Sequence, residues 1–515
     1  MVDTGISNES ATMQPVRPQR VALPLALMLA AILAFRAIHF GNPGLSYDEN
    51  FYLLAGDRML HGAVPYVDIW DRKPVLLFAI YAGIRMLGGE GFTEYLFVSA
   101  LCVMATAAFL WAIARRWLDP WSAVLPALAF VVWQEPFDGG GGQTGTFTNL
   151  LAAASFWLLL RARDLGAARG TLRVGALVMV LMGLALQIKY TVVPLGAFYG
   201  CAFLWLAWRQ GGGHKTLVLA FAAYILIALA PTALVVAWYW QAGHLDAFVQ
   251  ANVTSLFLRG SLAGGRVFVV RYIAVIGLPL VICGALGLMR IARDGGENRA
   301  LSAWIALWSA AAFASFAMIG NFYLAYFQPV AMALALACGG TLRDKRLGLI
   351  VFALLAAYPF KAAVIRTPAE DAETRHAMAQ LTQAAAPHVD AARCLYVYDG
   401  PVSLYMTTHA CVPTRFAFPD HLSNSIEQHA LGVDAGAEMS RVLASRPGAI
   451  VTAWPPLPPG LNQTNAKLLR AALARDYRRT ATVDFNKRQI SVWERLPAPR
   501  TDGQPLDRQD ALLAS

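Results

Sequence analysis

Residues 93–116 read TEYLFVSALCVMATAAFLWAIARR, an almost unbroken apolar run that ends at Arg115 and Arg116. A helix needs roughly 20 mostly apolar residues to cross the hydrocarbon of a bilayer. Runs of this kind recur through the first 365 residues, and the chain of 515 residues is 57% hydrophobic and only 14% charged. Soluble domains carry more charge than this. The pattern therefore predicts an α-helical polytopic membrane protein.

The apolar runs predict about eleven transmembrane helices, and the basic residues between them predict their orientation. Every second gap is rich in arginine or lysine, as at Arg115 and Arg116 or in 161–173. Such gaps face the cytoplasm, so the net charge of +10 is explained by topology and nucleic acid is not an expected partner. The predicted spans are 21–40, 93–114, 120–134, 146–160, 174–188, 191–208, 216–240, 267–289, 301–319, 322–341 and 347–363.

This topology divides the chain into three parts. Residues 1–20 form a cytoplasmic tail, 21–365 a transmembrane domain whose first outside loop is 41–92, and 366–515 a small extracytoplasmic α/β domain. The first run lacks a small-residue cleavage site, which favours a retained span over a signal peptide. With an odd number of spans and a cytoplasmic N-terminus, we expect the C-terminal domain to lie outside the cytoplasm.

The C-terminal domain contains short strand-like runs at 394–399, 449–453 and 480–493, with helical patterns at 436–445 and 465–475. Its two cysteines are Cys394 and Cys411. An oxidising compartment permits a disulfide between them, but the sequence alone leaves their pairing open.

Charged and aromatic residues are concentrated in the first outside loop. Residues 46–52 read SYDENFY and residues 65–74 read PYVDIWDRKP. A solvated loop anchored by aromatic side chains at the headgroups is one interpretation. The other is functional, because the spacing in 50–60 predicts an amphipathic helix in the membrane interface. That helix would hold Asp48 and Glu49 beside Arg72 and Lys73.

Carboxylates beside cations suit transfer of a sugar from a polyprenyl phosphate. The attacking hydroxyl needs a carboxylate to accept its proton, and the leaving phosphate needs cations nearby. Arginine binds phosphate as a planar fork and lysine as a point charge, so adjacent Arg72 and Lys73 are candidates to grip a lipid phosphate.

The Asp48-Glu49 pair, the Pro65-Tyr66 pair and the Asp-x-Trp-Asp-Arg-Lys-Pro stretch at 68–74 resemble the GT-C glycosyltransferases. The resemblance is to the bacterial branch related to aminoarabinose transferase and protein O-mannosyltransferase. It implies an inverting hexosyl or pentosyl transfer from a polyprenyl-phosphate sugar to a glycolipid, glycan or protein at the outer face of the inner membrane. It also implies that this membrane is a bacterial inner membrane, so that the C-terminal domain is periplasmic. It also implies that Asp48 is the catalytic carboxylate, Glu49 its neighbour and Lys73 a contact to the donor phosphate.

Two positions depart from the family pattern. Gly145 stands where a second acidic residue is expected, and Ala325 where a histidine usually precedes a Tyr-Phe pair. Asp138 is a candidate to replace the missing acid. The run 139–142 is all glycine but lacks the lysine of a P-loop, so it predicts flexibility rather than a phosphate cradle.

Further candidates come from outward-facing charges. Lys189 and Arg266 are candidates to contact the donor phosphate. The alternative for Lys189 is a side chain that snorkels to the membrane surface, and the alternative for Arg266 is ordinary binding to lipid headgroups. Asp71 and Tyr52 are additional candidates in the first loop. No nucleotide or redox cofactor is expected, since the donor carries its own leaving group. A divalent metal near Asp48 and Glu49 is permitted but not predicted.

Membrane lipids are expected partners of this protein. Two functions other than glycosyl transfer remain open. A transporter or flippase of a lipid-linked sugar should show charged or broken helices near mid-membrane and an internal repeat, and the spans are nearly free of acidic residues. A non-catalytic scaffold is the second, because Gly145 stands where the family has an acidic residue.

Overall fold

The computed structural model describes residues 19–260, 263–318, 323–362, 365–457 and 460–497. Its N-terminal part is helical throughout. In chain order the helices are α1 (Gln19–Arg36), α2 (Tyr47–Leu60), α3 (Val75–Arg85), α4 (Phe92–Ala114), α5 (Val124–Gln134), α6 (Thr144–Leu165), α7 (Ala168–Leu186), α8 (Val193–Arg209), α9 (His214–Gln241), α10 (Leu245–Val249), α11 (Ser255–Leu258), α12 (Ala263–Arg293), α13 (Gly296–Ala317), α14 (Gln328–Ala337) and α15 (Lys345–Lys361).

A helix overlaps each of the eleven predicted spans. Within the described residues, seven helices are long and apolar enough to cross a membrane. The seven segments are Val21–His39, Phe92–Ala114, Ala168–Leu186, Tyr190–Arg209, His214–Gln241, Val267–Arg293 and Gly296–Ala317. A count of eleven spans stays a prediction, because the helices at the other four positions are shorter or carry more charge.

The first outside loop folds into two packed helices. Residues Glu49 to Gly56 of α2 are all buried, so α2 does not lie in the interface with one face exposed, as its spacing suggested. It packs against α3, which the sequence pattern did not reveal. A Cβ on Gly56 would lie 2.5 Å from the backbone nitrogen of Ala82, so glycine permits this close approach. Burial on all sides places the start of α2 inside the protein.

The C-terminal domain combines helices with a four-stranded sheet of order β1-β2-β4-β3. Strands β1 and β2 are parallel, and the other two pairings are antiparallel. The elements in chain order are α16 (Pro368–Ala385), β1 (Leu395–Val397), α17 (Leu404–Thr407), α18 (Asp420–Ser423), α19 (Ala435–Ala444), β2 (Ala449–Trp454), α20 (Gln463–Asp476), β3 (Tyr477–Phe485) and β4 (Arg488–Arg495). The predicted strands and helices are confirmed, and α16 is an addition. Cys394 and Cys411 form a disulfide.

The two parts share one hydrophobic cluster. Phe51 and Tyr52 of α2 belong to the same buried group as Leu395 and Ile450 of the sheet. A polar contact adds to it, since the buried carboxylate of Asp371 on α16 accepts a hydrogen bond from Asn42 Nδ2 at 2.8 Å. The C-terminal domain is therefore packed directly against the first outside segment.

Candidate active site

A cavity of about 690 Å³ lies where the helical part, the 41–92 segment and the C-terminal domain meet. Charged residues from all three line it. They include Asp48, Glu49, Asp71, Arg72 and Lys73 from the first segment, Asp138, Lys189 and Arg259 from later loops, and Asp420, His421 and Glu427 from the C-terminal domain.

Asp48 and Glu49 lie in the first turn of α2, where the helix dipole favours negative charge. The Gln143 side-chain amide donates hydrogen bonds to both, at 3.2 Å from Asp48 Oδ2 and 3.1 Å from Glu49 Oε2. The Ser46 hydroxyl also donates to Glu49. Burial, together with neighbouring Asp48, raises the pKa of Glu49 to about 8. Glu49 is therefore mostly protonated at neutral pH, whereas Asp48 beside it is only half-buried.

Lys73 is held by Asp71. The Asp71 Oδ1 atom accepts the Lys73 backbone N–H at 3.1 Å and lies 3.7 Å from Lys73 Nζ. Burial alone would raise the pKa of Asp71, but the charges of Lys73 and Arg72 and the hydrogen bond from the Arg72 backbone N–H outweigh burial and lower it. The Asp71 carboxylate therefore fixes Lys73 at the cavity.

Tyr52, an additional candidate in the first loop, lies next to the cavity. Its ring is fully buried and lies behind Lys73, 5.4 Å from Nζ to the ring centroid, and it is not part of the cavity lining. Its hydroxyl has no hydrogen-bond partner among the described residues. Tyr52 therefore supports Lys73 through a cation–π contact.

Lys189 is the second lysine of the cavity. It lies between α7 and α8, and its Nζ is 3.7 Å from the centroid of the Tyr326 ring. Burial, together with the positive charge of Lys73, lowers the pKa of Lys189 to about 7. No described carboxylate lies within ion-pair distance of it. Lys73 and Lys189 thus both line the cavity that holds Asp48.

Arg72, which the sequence predicts to contact the donor phosphate, lines the cavity and is already paired with a carboxylate there. Its guanidinium forms a two-pronged ion pair with Glu427, whose Oε1 atom also accepts a 2.7 Å hydrogen bond from Arg259 Nε. Burial alone would raise the pKa of Glu427, but Arg72 and Arg259 outweigh it and lower that pKa. Glu427 lies 355 residues from Arg72 along the chain, so no local sequence pattern could indicate this ion pair.

Asp138 faces the cavity with a left-handed backbone (φ 55°). Removal from bulk water, together with the charge of Asp48, raises the pKa of Asp138 to about 6. At Gly145, where the second acid was expected, a Cβ would lie 2.0 Å from Gln328 Oε1. Gln328 is itself held by the Phe137 carbonyl at 2.8 Å. The space for an acidic side chain at 145 is therefore occupied, and Asp138 supplies a carboxyl group nearby.

The glycine run 139–142 is packed rather than free. The Gly141 carbonyl accepts a hydrogen bond from Ser99 Oγ at 2.6 Å, and the Gly142 carbonyl accepts one from Tyr81 Oη at 2.8 Å. A Cβ on Gly141 would lie 2.4 Å from Glu49 Oε1. The glycine run was expected to be flexible, but in the structure Gly141 packs so closely against Glu49 that a side chain would not fit.

Two other predicted positions are placed as follows. Arg266 lies in α12, but its side chain is outside the described residues. Ala325 lines the cavity without adding a polar group. Among the described residues, no three His, Cys, Asp or Glu side chains are grouped as metal ligands.

Sequence reasoning did not find the contribution of the C-terminal domain to the cavity. His421 packs edge-on against Trp70 with ring centroids 4.7 Å apart, and burial lowers its pKa to about 4. Burial raises the pKa of Asp420 to about 6. The one local signal is the stretch FAFPDHLSN at 416–424, where two phenylalanines are followed by a proline and a group of polar residues.

Comparison with solved structures identifies the fold. The crystal structure of ArnT from Cupriavidus metallidurans bound to undecaprenyl phosphate aligns with a TM-score of 0.59 at 14% identity, covering 93% of this chain and 98% of that one. Its apo state aligns at 0.55 and 15% identity, over 92% and 97% of the two chains. An oligosaccharyltransferase from Archaeoglobus fulgidus aligns at 0.50 and 10% identity, over 84% and 69%.

The chain therefore has the GT-C glycosyltransferase fold and is a multi-pass membrane protein. Within that fold, residues 72–240 match the family model described as dolichyl-phosphate-mannose-protein mannosyltransferase. No curated protein matches the sequence.

Proposed function

We propose that this protein is an inverting glycosyltransferase that moves a sugar from a polyprenyl phosphate to a hydroxyl group of an acceptor. The observation that carries the proposal is the placement of Asp48 and the Lys73–Lys189 pair in one cavity. The attacking hydroxyl group needs a proton acceptor, and the departing phosphate needs cations. The GT-C fold and the ArnT structure with undecaprenyl phosphate support a lipid-linked donor.

In the proposed step, the acceptor hydroxyl attacks the anomeric carbon of the sugar from the face opposite the phosphate. A bond forms between the acceptor oxygen and the anomeric carbon, and the bond from that carbon to the phosphate oxygen breaks. The proton of the hydroxyl passes to Asp48. The electron pair of the broken bond leaves on the polyprenyl phosphate, whose growing negative charge Lys73 and Lys189 stabilise.

The neighbouring carboxyl groups have other roles. Glu49 is protonated at neutral pH because its pKa is about 8. It positions Asp48 through Gln143, whose side-chain amide donates hydrogen bonds to both carboxyl groups. Asp71 positions Lys73. Asp138, which faces the same cavity, is placed to bind sugar hydroxyls. The reaction is proposed for the periplasmic face, with a glycolipid, a glycan or a protein as acceptor.

The test combines genetics with mass spectrometry of extracted glycolipids, surface glycans and proteins. A deletion strain is complemented at equal protein level with the wild type, Asp48→Asn or Glu49→Gln. We expect one sugar increment to vanish in the deletion and Asp48→Asn strains, while its polyprenyl-linked precursor accumulates, and to persist with Glu49→Gln. A wild-type profile from Asp48→Asn would refute the assignment and favour a scaffold or a flippase.

A further inference from the structure

One histidine on the cavity wall has a ring nitrogen that is bound and another that is available. His39 directly follows α1 and lines the cavity, although its side chain is only 7% exposed. Its Nδ1 lies 2.8 Å from Asp371 Oδ1 on α16. Its Nε2 has no hydrogen-bond partner among the described residues and is not fully enclosed by protein. Nε2 is therefore the nitrogen that a ligand in the cavity can reach.

Asp371 decides which ring nitrogen of His39 carries the proton. Burial alone would raise the pKa of Asp371, but hydrogen bonds from His39, Asn42 and Arg375 outweigh burial and lower it. The carboxylate is therefore charged at neutral pH, and a charged carboxylate accepts hydrogen bonds without donating them. Nδ1 of His39 must be the donor, so Nε2 of the neutral ring has a free lone pair. His39 is thus a hydrogen-bond acceptor toward the cavity.

The position of His39 is fixed by α16. Arg375 Nε donates to Asp371 Oδ2 at 2.8 Å. Its Nη2 donates to the carbonyl oxygens of Ile38 at 2.7 Å and Phe40 at 2.9 Å, the two residues that flank His39 in the chain. Arg375 therefore holds the backbone while Asp371 holds the ring. A group that is fixed in this way is suited to orienting a substrate.

His39 belongs to the carboxylate side of the cavity. Arg36, three residues earlier, donates to the Gly141 carbonyl at 3.4 Å, and a Cβ on Gly141 would lie 2.4 Å from Glu49 Oε1. Among the described residues, neither cavity lysine forms a hydrogen bond or an ion pair with His39 or Asp371. In the proposed reaction the lysines mark the phosphate end, and the acceptor attacks from the opposite face of the sugar. His39 is therefore placed on the acceptor side.

The number of protons on the acceptor separates the roles of His39 and Asp48. An attacking hydroxyl group has a single proton, and in the proposed reaction that proton passes to Asp48. Nε2 of His39 therefore needs a second hydrogen-bond donor on the same acceptor. In a carbohydrate this donor is a neighbouring hydroxyl group, whereas a serine or threonine side chain has no second hydroxyl.

Resting on the proposed function, we infer that His39 binds a second hydroxyl group of a carbohydrate acceptor. The hydrogen bond that this hydroxyl donates to Nε2 orients the attacking hydroxyl toward the anomeric carbon. The acceptor is then a glycan or the sugar part of a glycolipid. Asp371 and Arg375 are positioning residues, since they act on the substrate through His39.

Two substitutions of His39 separate substrate binding from a purely structural role. Asparagine places its amide near the position of Nδ1 and keeps the bond to Asp371, but it has no atom at the position of Nε2. Glutamine places its amide oxygen near the position of Nε2 and gives up that bond. We expect His39→Asn to slow transfer by about tenfold, the effect of one lost hydrogen bond, and His39→Gln to retain most of the rate. A structural role predicts the reverse order.

The rate of transfer is measured in a deletion strain that is complemented at equal protein level. Mass spectrometry of extracted glycolipids, glycans and proteins follows the appearance of the sugar increment over time. The integrity of the donor site is measured as the affinity of the purified full-length variants in detergent for undecaprenyl phosphate, which should equal that of the wild type. His388→Asn is the matched control and should change neither quantity, because His388 Nδ1 lies 3.0 Å from Glu494 but outside the cavity lining.

The outcomes are distinguishable. A rate for His39→Asn that equals or exceeds that of His39→Gln would overturn the inference, and so would an increment attached to protein side chains; both leave the proposed function standing. If His39→Asn does not bind undecaprenyl phosphate, the glutamine variant decides. Transfer by His39→Gln near the wild-type rate then supports the inference, and slow transfer overturns it. A wild-type glycan profile in the deletion strain itself would remove the proposed function, whatever the His39 variants do.

Discussion

Arg488 on β4 donates a hydrogen bond from Nη1 to the hydroxyl oxygen of Tyr47, 3.3 Å away, although 441 residues separate them in the chain. Tyr47 is the first residue of α2 and directly precedes Asp48. The same guanidinium forms a buried ion pair with Asp399 and donates to the Pro455 carbonyl at 2.8 Å. The last strand of the C-terminal domain is thus attached to the helix turn that carries the proposed catalytic carboxylate.

Replacing Arg488 by Gln should therefore reduce kcat more than it changes KM for the donor. We expect a loss of about tenfold, since small displacements of a catalytic group are costly, and a lower Tm because Asp399 loses its partner. Arg488→Lys should recover part of both. Arg478→Gln, which removes an exposed ion pair with Glu494 on the same sheet, is the matched control. Equal effects of the two Gln substitutions would argue against a positioning role.

Asp48 and Glu49 should respond differently to loss of charge. Asp48→Asn should lower kcat by about 10²–10⁴-fold, the usual contribution of a general base. Glu49→Gln should cost less than about tenfold, because Glu49 is already protonated at neutral pH. Transfer from a purified polyprenyl-phosphate sugar by each variant provides the measurement. A larger loss in Glu49→Gln than in Asp48→Asn would reverse the two assignments.

Donor binding should weaken as the pH rises through 7. The Lys189 pKa of about 7 means that the ammonium is charged below this pH and loses its charge above it, so its attraction for phosphate disappears at alkaline pH. KM for the donor should therefore rise between pH 6 and pH 8. Lys189→Arg stays charged throughout and should flatten this profile. An unchanged pH profile in the arginine variant would assign the titration to another group.

The packing at Gly145 predicts a stability effect. Gly145→Ala places a Cβ 2.0 Å from Gln328 Oε1, and overpacking of this kind costs about 1–3 kcal/mol. Thermal unfolding of the purified protein in detergent should show a lower Tm. Gln328→Ala should suppress the defect. Gly196→Ala on α8, whose new Cβ meets nothing closer than 3.7 Å, should have little effect. A comparable loss of stability there would show that the defect at Gly145 is not specific to the contact with Gln328.

The Cys394–Cys411 disulfide should stabilise the C-terminal domain. The cysteines are 17 residues apart, and closing a loop of that size contributes about 3 kcal/mol in the chain-entropy model. Cys394→Ser with Cys411→Ser should lower the Tm, and alkylation of the unreduced wild type should leave both cysteines unmodified. Cys201→Ser removes an exposed free thiol and serves as control. Alkylation of both cysteines without prior reduction would contradict the pairing.

The amino-acid sequence by itself determined the class of this protein and located charged residues of its central cavity. Apolar runs of helical length and their basic flanks indicated the transmembrane helices, because transfer into lipid depends on local composition. The dense charges at 46–74 pointed to Asp48 and Lys73, both of which line the cavity. The short strands around residues 395 and 450 and the helices of the C-terminal domain also followed from local period and composition.

Only the tertiary structure decided which charges act together. Glu427 neutralises Arg72, Gln328 fills the space beside Gly145, and Arg488 holds Tyr47. These contacts join residues between 183 and 441 positions apart. Local patterns report the burial and the period of one segment, whereas an ion pair forms wherever the fold brings two side chains within about 4 Å. The composition of the cavity is therefore a property of how the C-terminal domain packs onto the helices.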